Sequence, residues 1–162
     1  MSDKILLVED DHLQAGGILP HLTGYGDVRV ISTEYGFRSA ADDLAKSRQL
    51  PLRLAVIDPM LRWANPSKEM PEPPPEVREG GYFRAGVRCR QYLRDIERQT
   101  DTAQTPVIFL SSLDPERVDR MVGMLSRTGG TEGNPDPRDY QCVLKARGLT
   151  ELDEAVRRVL QP

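Results

Sequence analysis

Five polar residues stand at the ends of short aliphatic runs: Glu9 and Asp10 after residues 5–8, Asp58 after 54–57, Ser111 after 107–110 and Lys145 after 143–144. Unbroken Val, Ile and Leu are what a parallel strand covered by helices on both faces looks like in sequence. Ligands of open α/β sheets bind outside the carboxyl ends of such strands. Three carboxylates, a hydroxyl and an ammonium would therefore share one edge, a set suited to a divalent cation and a phosphoryl group. Carboxylates this close raise one another's pKa unless a cation offsets them. An all-oxygen site that keeps some waters suits Mg²⁺. Cation and ammonium together would stabilise a transferring phosphoryl group, which needs positioning and electrostatics more than covalent help.

The elements that must place these residues alternate along the chain. Strands are expected at residues 4–9, 28–32, 52–57, 106–110 and 140–145, and helices at 11–22, 37–48, 82–99, 115–126 and 150–160. In the first helix Leu13, Gly16 or Gly17 and Leu19 fall at helical spacing, with Asp10 or Asp11 as cap. Asp114 with Pro115 opens the fourth helix, and Thr150 with Asp153 fits a looser capping box for the fifth. Five strands alternating with five helices through right-handed crossovers make a doubly wound α/β sheet. The flavodoxin-like order 2-1-3-4-5 puts the first and third strands together at the switch point, so that Glu9, Asp10 and Asp58 meet.

Two segments interrupt this alternation within what reads as a single domain spanning 1–162. One, at about 64–81, carries Pro66, Pro71, Pro73, Pro74 and Pro75 among Glu69, Glu72, Glu76 and Glu79. That proline density favours an extended, solvated chain over a helix. The other, at about 127–139, is rich in Gly and Pro. The net charge of −3 offers no electrostatic footprint for nucleic acid. No apolar stretch approaches the ~18 residues of a membrane span, the N-terminus lacks the regions of a signal peptide, and neither GxGxxG nor a P-loop motif occurs. Cys89 and Cys142 form no CxxC pair and read as small core residues, so a reduced cytoplasmic setting is expected.

The blocks Lys-Ile-Leu-Leu-Val-Glu-Asp-Asp (4–11), Leu-Ala-Val-Ile-Asp-Pro-Met-Leu (54–61), Pro-Val-Ile-Phe-Leu-Ser-Ser (106–112) and Val-Leu-Lys (143–145), in this order, resemble a response-regulator receiver domain over nearly the whole chain. The resemblance implies phosphotransfer onto Asp58 from a histidine kinase or a histidine phosphotransfer protein, followed by altered contact with a downstream protein. It implies Asp10 as a direct Mg²⁺ ligand, Glu9 acting through water, the backbone carbonyl of Met60 completing the metal site, Ser111 as the responding hydroxyl and Lys145 gripping the phosphoryl group. It implies no enzyme activity beyond self-catalysed phosphotransfer and autodephosphorylation, and it allows a homodimer. With the chain ending at Pro162, a stand-alone receiver is expected. The alternative is a pseudo-receiver, an interaction scaffold that phosphate does not switch.

The sequence also departs from that family. Fifty-three residues separate Asp58 from Ser111, Ala146 follows Lys145 where proline is usual, and Cys142 holds the aromatic switch position three residues before Lys145. Tyr140, five before it, reads as facing the other side of the strand. Other features have plainer readings: Asp11 as a cap, Ser112 as shaping access beside Ser111, His12 and His21 as solvent-facing, and Arg84, Arg88, Arg90, Arg94 and Arg98 as a solvated helix face. A haloacid-dehalogenase-like phosphatase is disfavoured because the first strand lacks the Asp-x-Asp arrangement. The proline-rich segment starts seven residues past Asp58 and is expected to gate it. Deleting 65–81 should change the rate of phosphorylation or dephosphorylation at Asp58; identical rates for both reactions would exclude a gate.

Overall fold

The structure is a computed structural model in which residues 3–128 and 140–161 are described; the second insertion, expected at about 127–139, lies outside them from residue 129 on. Five parallel strands, β1 (Lys4–Val8), β2 (Asp27–Ile31), β3 (Leu54–Ile57), β4 (Val107–Ser111) and β5 (Tyr140–Leu144), form one sheet in the order β2-β1-β3-β4-β5. Helices α1 (His12–Thr23), α2 (Glu34–Lys46), α3 (Pro75–Gly80), α4 (Ala85–Gln99), α5 (Pro115–Thr128) and α6 (Leu149–Leu160) connect them. This is the expected doubly wound fold, with one helix more than expected because α3 lies in the proline-rich insertion. Among the described residues no helix is long and apolar enough to cross a membrane.

Alternation along the strands divides the core. Leu6, Val8, Ala55, Ile57, Val107 and Phe109 pack against α2, α4 and α5, while Ile5, Leu7, Leu54, Val56, Ile108, Leu110 and Val143 pack against α1 and α6. The central strands β1, β3 and β4 are buried on both faces, which is why they read as continuous aliphatic runs.

Several helix details differ from expectation. In α1 the buried residues are Ala15, Ile18 and Leu22, and Leu13 is exposed, because α1 begins after Asp11 and turns that stripe to the sheet. Asp11 caps it by accepting from the Leu13 and Gln14 amides. No capping box forms at α6: the helix starts at Leu149 behind Gly148, whose φ of 83° suits glycine, and Asp153 instead pairs with His21 at 2.9 Å. His21 is thus half-buried and partnered rather than solvent-facing. Phe83 precedes α4 in a separate single turn and is partly exposed.

The proline-rich insertion folds instead of extending freely. Pro75 occupies the first turn of α3, where its missing N–H costs nothing. Leu61, Ala64 and Val77 are buried, and the Trp63 indole donates to the Pro71 carbonyl at 2.8 Å. Docked beside α2 and α4, the insertion helps convert the expected solvated arginine face into an interior. Arg88, Arg90 and Arg94 are buried. Arg88 grips Glu34 of α2 with Nε and Nη2 at 2.9 and 2.8 Å and donates Nη1 to the Gly81 carbonyl. Arg38 shares Glu34 and reaches Glu76 of α3. At the other end of α4, Arg94 pairs with Glu97, whose other oxygen accepts from the Thr105 amide.

A buried charge stripped of its partner costs about 3–5 kcal/mol. Arg88→Met leaves Arg38 beside Glu34, so urea unfolding should show a loss near the low end, about 3 kcal/mol. The double variant Arg88→Met/Glu34→Leu should recover most of it; a loss equal to the sum of the two single variants would show that the pair is not coupled.

Candidate functional site

The register of the central strands sets the site. Val8 of β1 lies opposite Ile57 of β3, so Glu9 and Asp58 leave adjacent strands side by side. Ser111 pairs with Leu144, and Lys145 follows one residue on. By alternation Glu9, Asp58 and Lys145 continue the α1/α6 face of their strands, whereas Ser111 continues the opposite face.

The structure brings Glu9, Asp58 and Lys145 into direct contact. The Lys145 ammonium donates to Glu9 Oε2 at 2.7 Å, Asp58 Oδ2 at 2.5 Å and Gln14 Oε1 at 2.6 Å. Both carboxylates are buried. Burial pushes the Glu9 carboxyl above its ordinary value, against the opposing pull of its Lys145 hydrogen bond and of the Asp11 amide. For Lys145 burial acts downward, but the Asp58 and Glu9 carboxylates together hold the ammonium above its ordinary value. Gln14 was not expected here; its position three residues past the cap Asp11, on the first turn of α1, was the available signal.

Asp10 stands apart, partly exposed, with Arg62 Nε at 3.7 Å from its carboxylate. Ser111 is buried, and its hydroxyl accepts from the Leu113 amide at 2.8 Å. Ser112 is exposed beside it, and His12 is exposed on α1. Met60 sits against Asp58 through its amide, which donates to Asp58 Oδ1 at 2.7 Å. The carboxylates and carbonyls at this edge are hard oxygen donors and fit Mg²⁺ by type. Among the described residues, no three His, Cys, Asp or Glu side chains are grouped as a metal would need.

Gly86, in the first turn of α4, sets how closely that helix approaches Asp58. A Cβ there would lie 2.2 Å from the Asp58 carbonyl oxygen and 2.7 Å from Pro59 Cα. Its absence lets the first turn of α4 lie against the loop after Asp58, where the Gly86 amide donates to the Pro59 carbonyl. No side chain of larger size fits this approach without moving backbone.

On the far side of the sheet edge, Tyr140 corrects the parity expectation. It is two residues from Cys142, and both pack against the α2/α4/α5 core. Its hydroxyl donates to Asp119 of α5 at 2.6 Å, Phe109 meets its ring edge-on at 5.5 Å, and Arg90 lies over it at 5.1 Å. Burial, with the Asp119 charge as a second cause, pushes the neighbouring Cys142 thiol up to about 12. Lys145–Ala146 is an ordinary trans peptide, the cis bond among the described residues being Leu50–Pro51.

This fold with this site is the receiver fold, and the comparisons with solved structures return it over almost the full chain. No family model matches the chain, and no curated protein matches it by sequence. The N-terminal domain of a response regulator/sensory box/GGDEF three-domain protein from Carboxydothermus hydrogenoformans aligns with 98% of this chain and 94% of its own, at 21% identity and a TM-score of 0.57. A response regulator receiver protein from Sinorhizobium medicae aligns over 98% and 94%, at 18% identity and a TM-score of 0.53. The BeF3-activated DrrB receiver domain aligns over 100% of both chains, at 18% identity and a TM-score of 0.57.

The two shifted groups make a pH prediction with a definite sign. Each binds its proton more tightly when folded, so stability falls wherever that proton is lost. Glu9 contributes a decline as pH rises from about 4.5 toward its raised folded value. Lys145 contributes stability that is complete below about 10.5 and lost as pH rises through its raised value. Glu9→Gln should flatten the acidic decline in a urea-unfolding series; an unchanged profile would contradict the burial of Glu9 as a strained carboxylate.

Proposed function

We propose that this chain is a response-regulator receiver that accepts a phosphoryl group on Asp58. The observation that carries the reading is the Lys145 ammonium bridging Asp58 and Glu9 at the carboxyl edge of a 2-1-3-4-5 sheet. The donor is a phosphohistidine of a histidine kinase or phosphotransfer protein. An Asp58 carboxylate oxygen attacks phosphorus, the P–N bond breaks, its electron pair stays on the imidazole, and an acyl phosphate forms. The Met60 amide, already on Oδ1, fixes the carboxylate so that Oδ2 faces the incoming group beside Lys145. Lys145 then follows the charge from Oδ2 to a phosphoryl oxygen. Glu9, Asp10, Asp58 and the Met60 carbonyl are the residues that would hold Mg²⁺, which supplies positive charge to the phosphoryl oxygens when bound. Ser111, at the end of β4, would donate to a phosphoryl oxygen after giving up none of its acceptor bond to Leu113, since a hydroxyl does both.

A second reading has its own observation. Lys145 is a cation that both buried carboxylates already share, and Asp10 faces Arg62, an arrangement that a pseudo-receiver scaffold could keep permanently. Purified protein with Mg²⁺ and acetyl phosphate separates the two. A receiver gains one phosphoryl mass on Asp58, loses it entirely in Asp58→Asn, and is phosphorylated at least tenfold more slowly in Lys145→Ala, roughly 1.4 kcal/mol of transition-state stabilisation. Neither a mass gain nor binding of a beryllofluoride mimic would leave the scaffold.

A further inference from the structure

The receiver reading leaves open which surface reports the state of Asp58. In this chain the route through β5 is closed by contacts. Tyr140 is tied by its hydroxyl to Asp119 and sandwiched by Phe109 and Arg90, so rotating it would break all three contacts at once. Cys142 offers a side chain too small to act as an aromatic lever.

The loop that follows Asp58 leads elsewhere. Pro59 accepts from the Gly86 amide of α4, and the Leu61 amide donates to the Tyr82 carbonyl at the end of the insertion. The carbonyls of Arg62 and Trp63 accept from the Glu34 and Tyr35 amides, at 3.0 and 2.8 Å, and so occupy the first turn of α2. Trp63 meets Tyr35 edge-on at 5.5 Å, with Arg38 over its indole at 5.4 Å. Arg38 in turn binds Glu34 and, across to α3, Glu76. Arg88 closes the circuit by holding Glu34 and the Gly81 carbonyl. Every residue from 59 to 63 except Met60 thus leads into α2, α4 or the insertion, and Met60 itself is held by Asp58 Oδ1.

We propose that phosphorylation of Asp58 is read out on the face built from the start of α2 and the 64–81 insertion, through the loop 59–63, and not on the α5–β5 face. This inference rests on Asp58 being a phosphoacceptor. The first step is electrostatic. As a carboxylate, Asp58 accepts a charge-assisted hydrogen bond from the Met60 amide. As an acyl phosphate its charge moves to the phosphoryl oxygens, and the same amide faces a neutral, weaker acceptor. Loosening at Met60 passes to Arg62 and Trp63, and from them to the first turn of α2 and to Arg38, which holds Glu76.

The test is hydrogen–deuterium exchange on the full chain with Mg²⁺ and acetyl phosphate, with phosphorylation of Asp58 verified by mass in the same sample. The expected result is a several-fold rise in exchange over 33–36 and 61–81, a shift in the emission of Trp63, the only tryptophan, and no change over 107–111 and 140–144. Phosphorylated protein whose exchange changes on the β4–β5 side alone, or equally on both faces, overturns the route and leaves the phosphoacceptor reading standing. Protein that never gains the phosphoryl group overturns both. Glu76→Gln lies outside the phosphoacceptor machinery and on an exposed carboxylate. It should raise exchange over 71–81 without phosphate and leave the strands as they are; exchange equal to the parent's would show that Arg38 does not hold the insertion.

Discussion

Two carboxylates withdrawn from water at the ends of neighbouring strands are the constraint around which this molecule is arranged. Parallel pairing of β1 with β3 leaves Glu9 and Asp58 no choice but proximity. Like charges in a poorly solvated place repel strongly, so a cation must sit between them. Lys145 supplies it from the end of β5, three strands away from β1, and Gln14 also accepts from it. The same demand keeps α1 close at its N-terminus and keeps the strands level at this edge. The sheet edge thus carries buried charge and its compensation together.

Compensation of buried charge recurs along α4. This helix has the sheet on one side, α2 and α5 on its flanks and the insertion near its first turns, so Arg88, Arg90 and Arg94 find no bulk water. Arg88 with Glu34 and Arg94 with Glu97 answer that problem at opposite ends of the helix. Neither arrangement is cheap, since ion pairs surrender hydration on both partners. What they add is specificity: Arg88 accepts only one placement of α2 and of the Gly81 carbonyl.

The strand order, the switch point and the convergence of Glu9, Asp58 and Lys145 were legible in the sequence because buried parallel strands write themselves as aliphatic runs and their ends are unmistakable. The arginine face was not. Helical periodicity assumes that a charged stripe faces water, and nothing in the pattern of residues 84–98 reveals that Glu34 of α2 and the folded insertion will meet it. The α1 stripe misled for a related reason: Gly16 and Gly17 blur its periodicity, and only packing decides that Ala15, Ile18 and Leu22 face the sheet. Thr150 and Asp153 have the spacing of a cap, yet Asp153 has a better partner in His21, contributed by a helix far away in sequence. Asp10 shows the same limit, since its neighbour Arg62 comes from the loop after β3.

The start of α2 is held by the carbonyls of Arg62 and Trp63, main chain to main chain. Such a joint is indifferent to the side chains on either part. Replacing residues 62 and 63 one at a time would leave both acceptors in place, so a survey by side-chain truncation would report the Trp63 ring contacts and not these two bonds. Only a change to the backbone itself, such as an ester in place of one amide at Glu34 or Tyr35, touches them. The connection between the loop 59–63 and α2 is thus written in peptide geometry, which side-chain truncation does not reach.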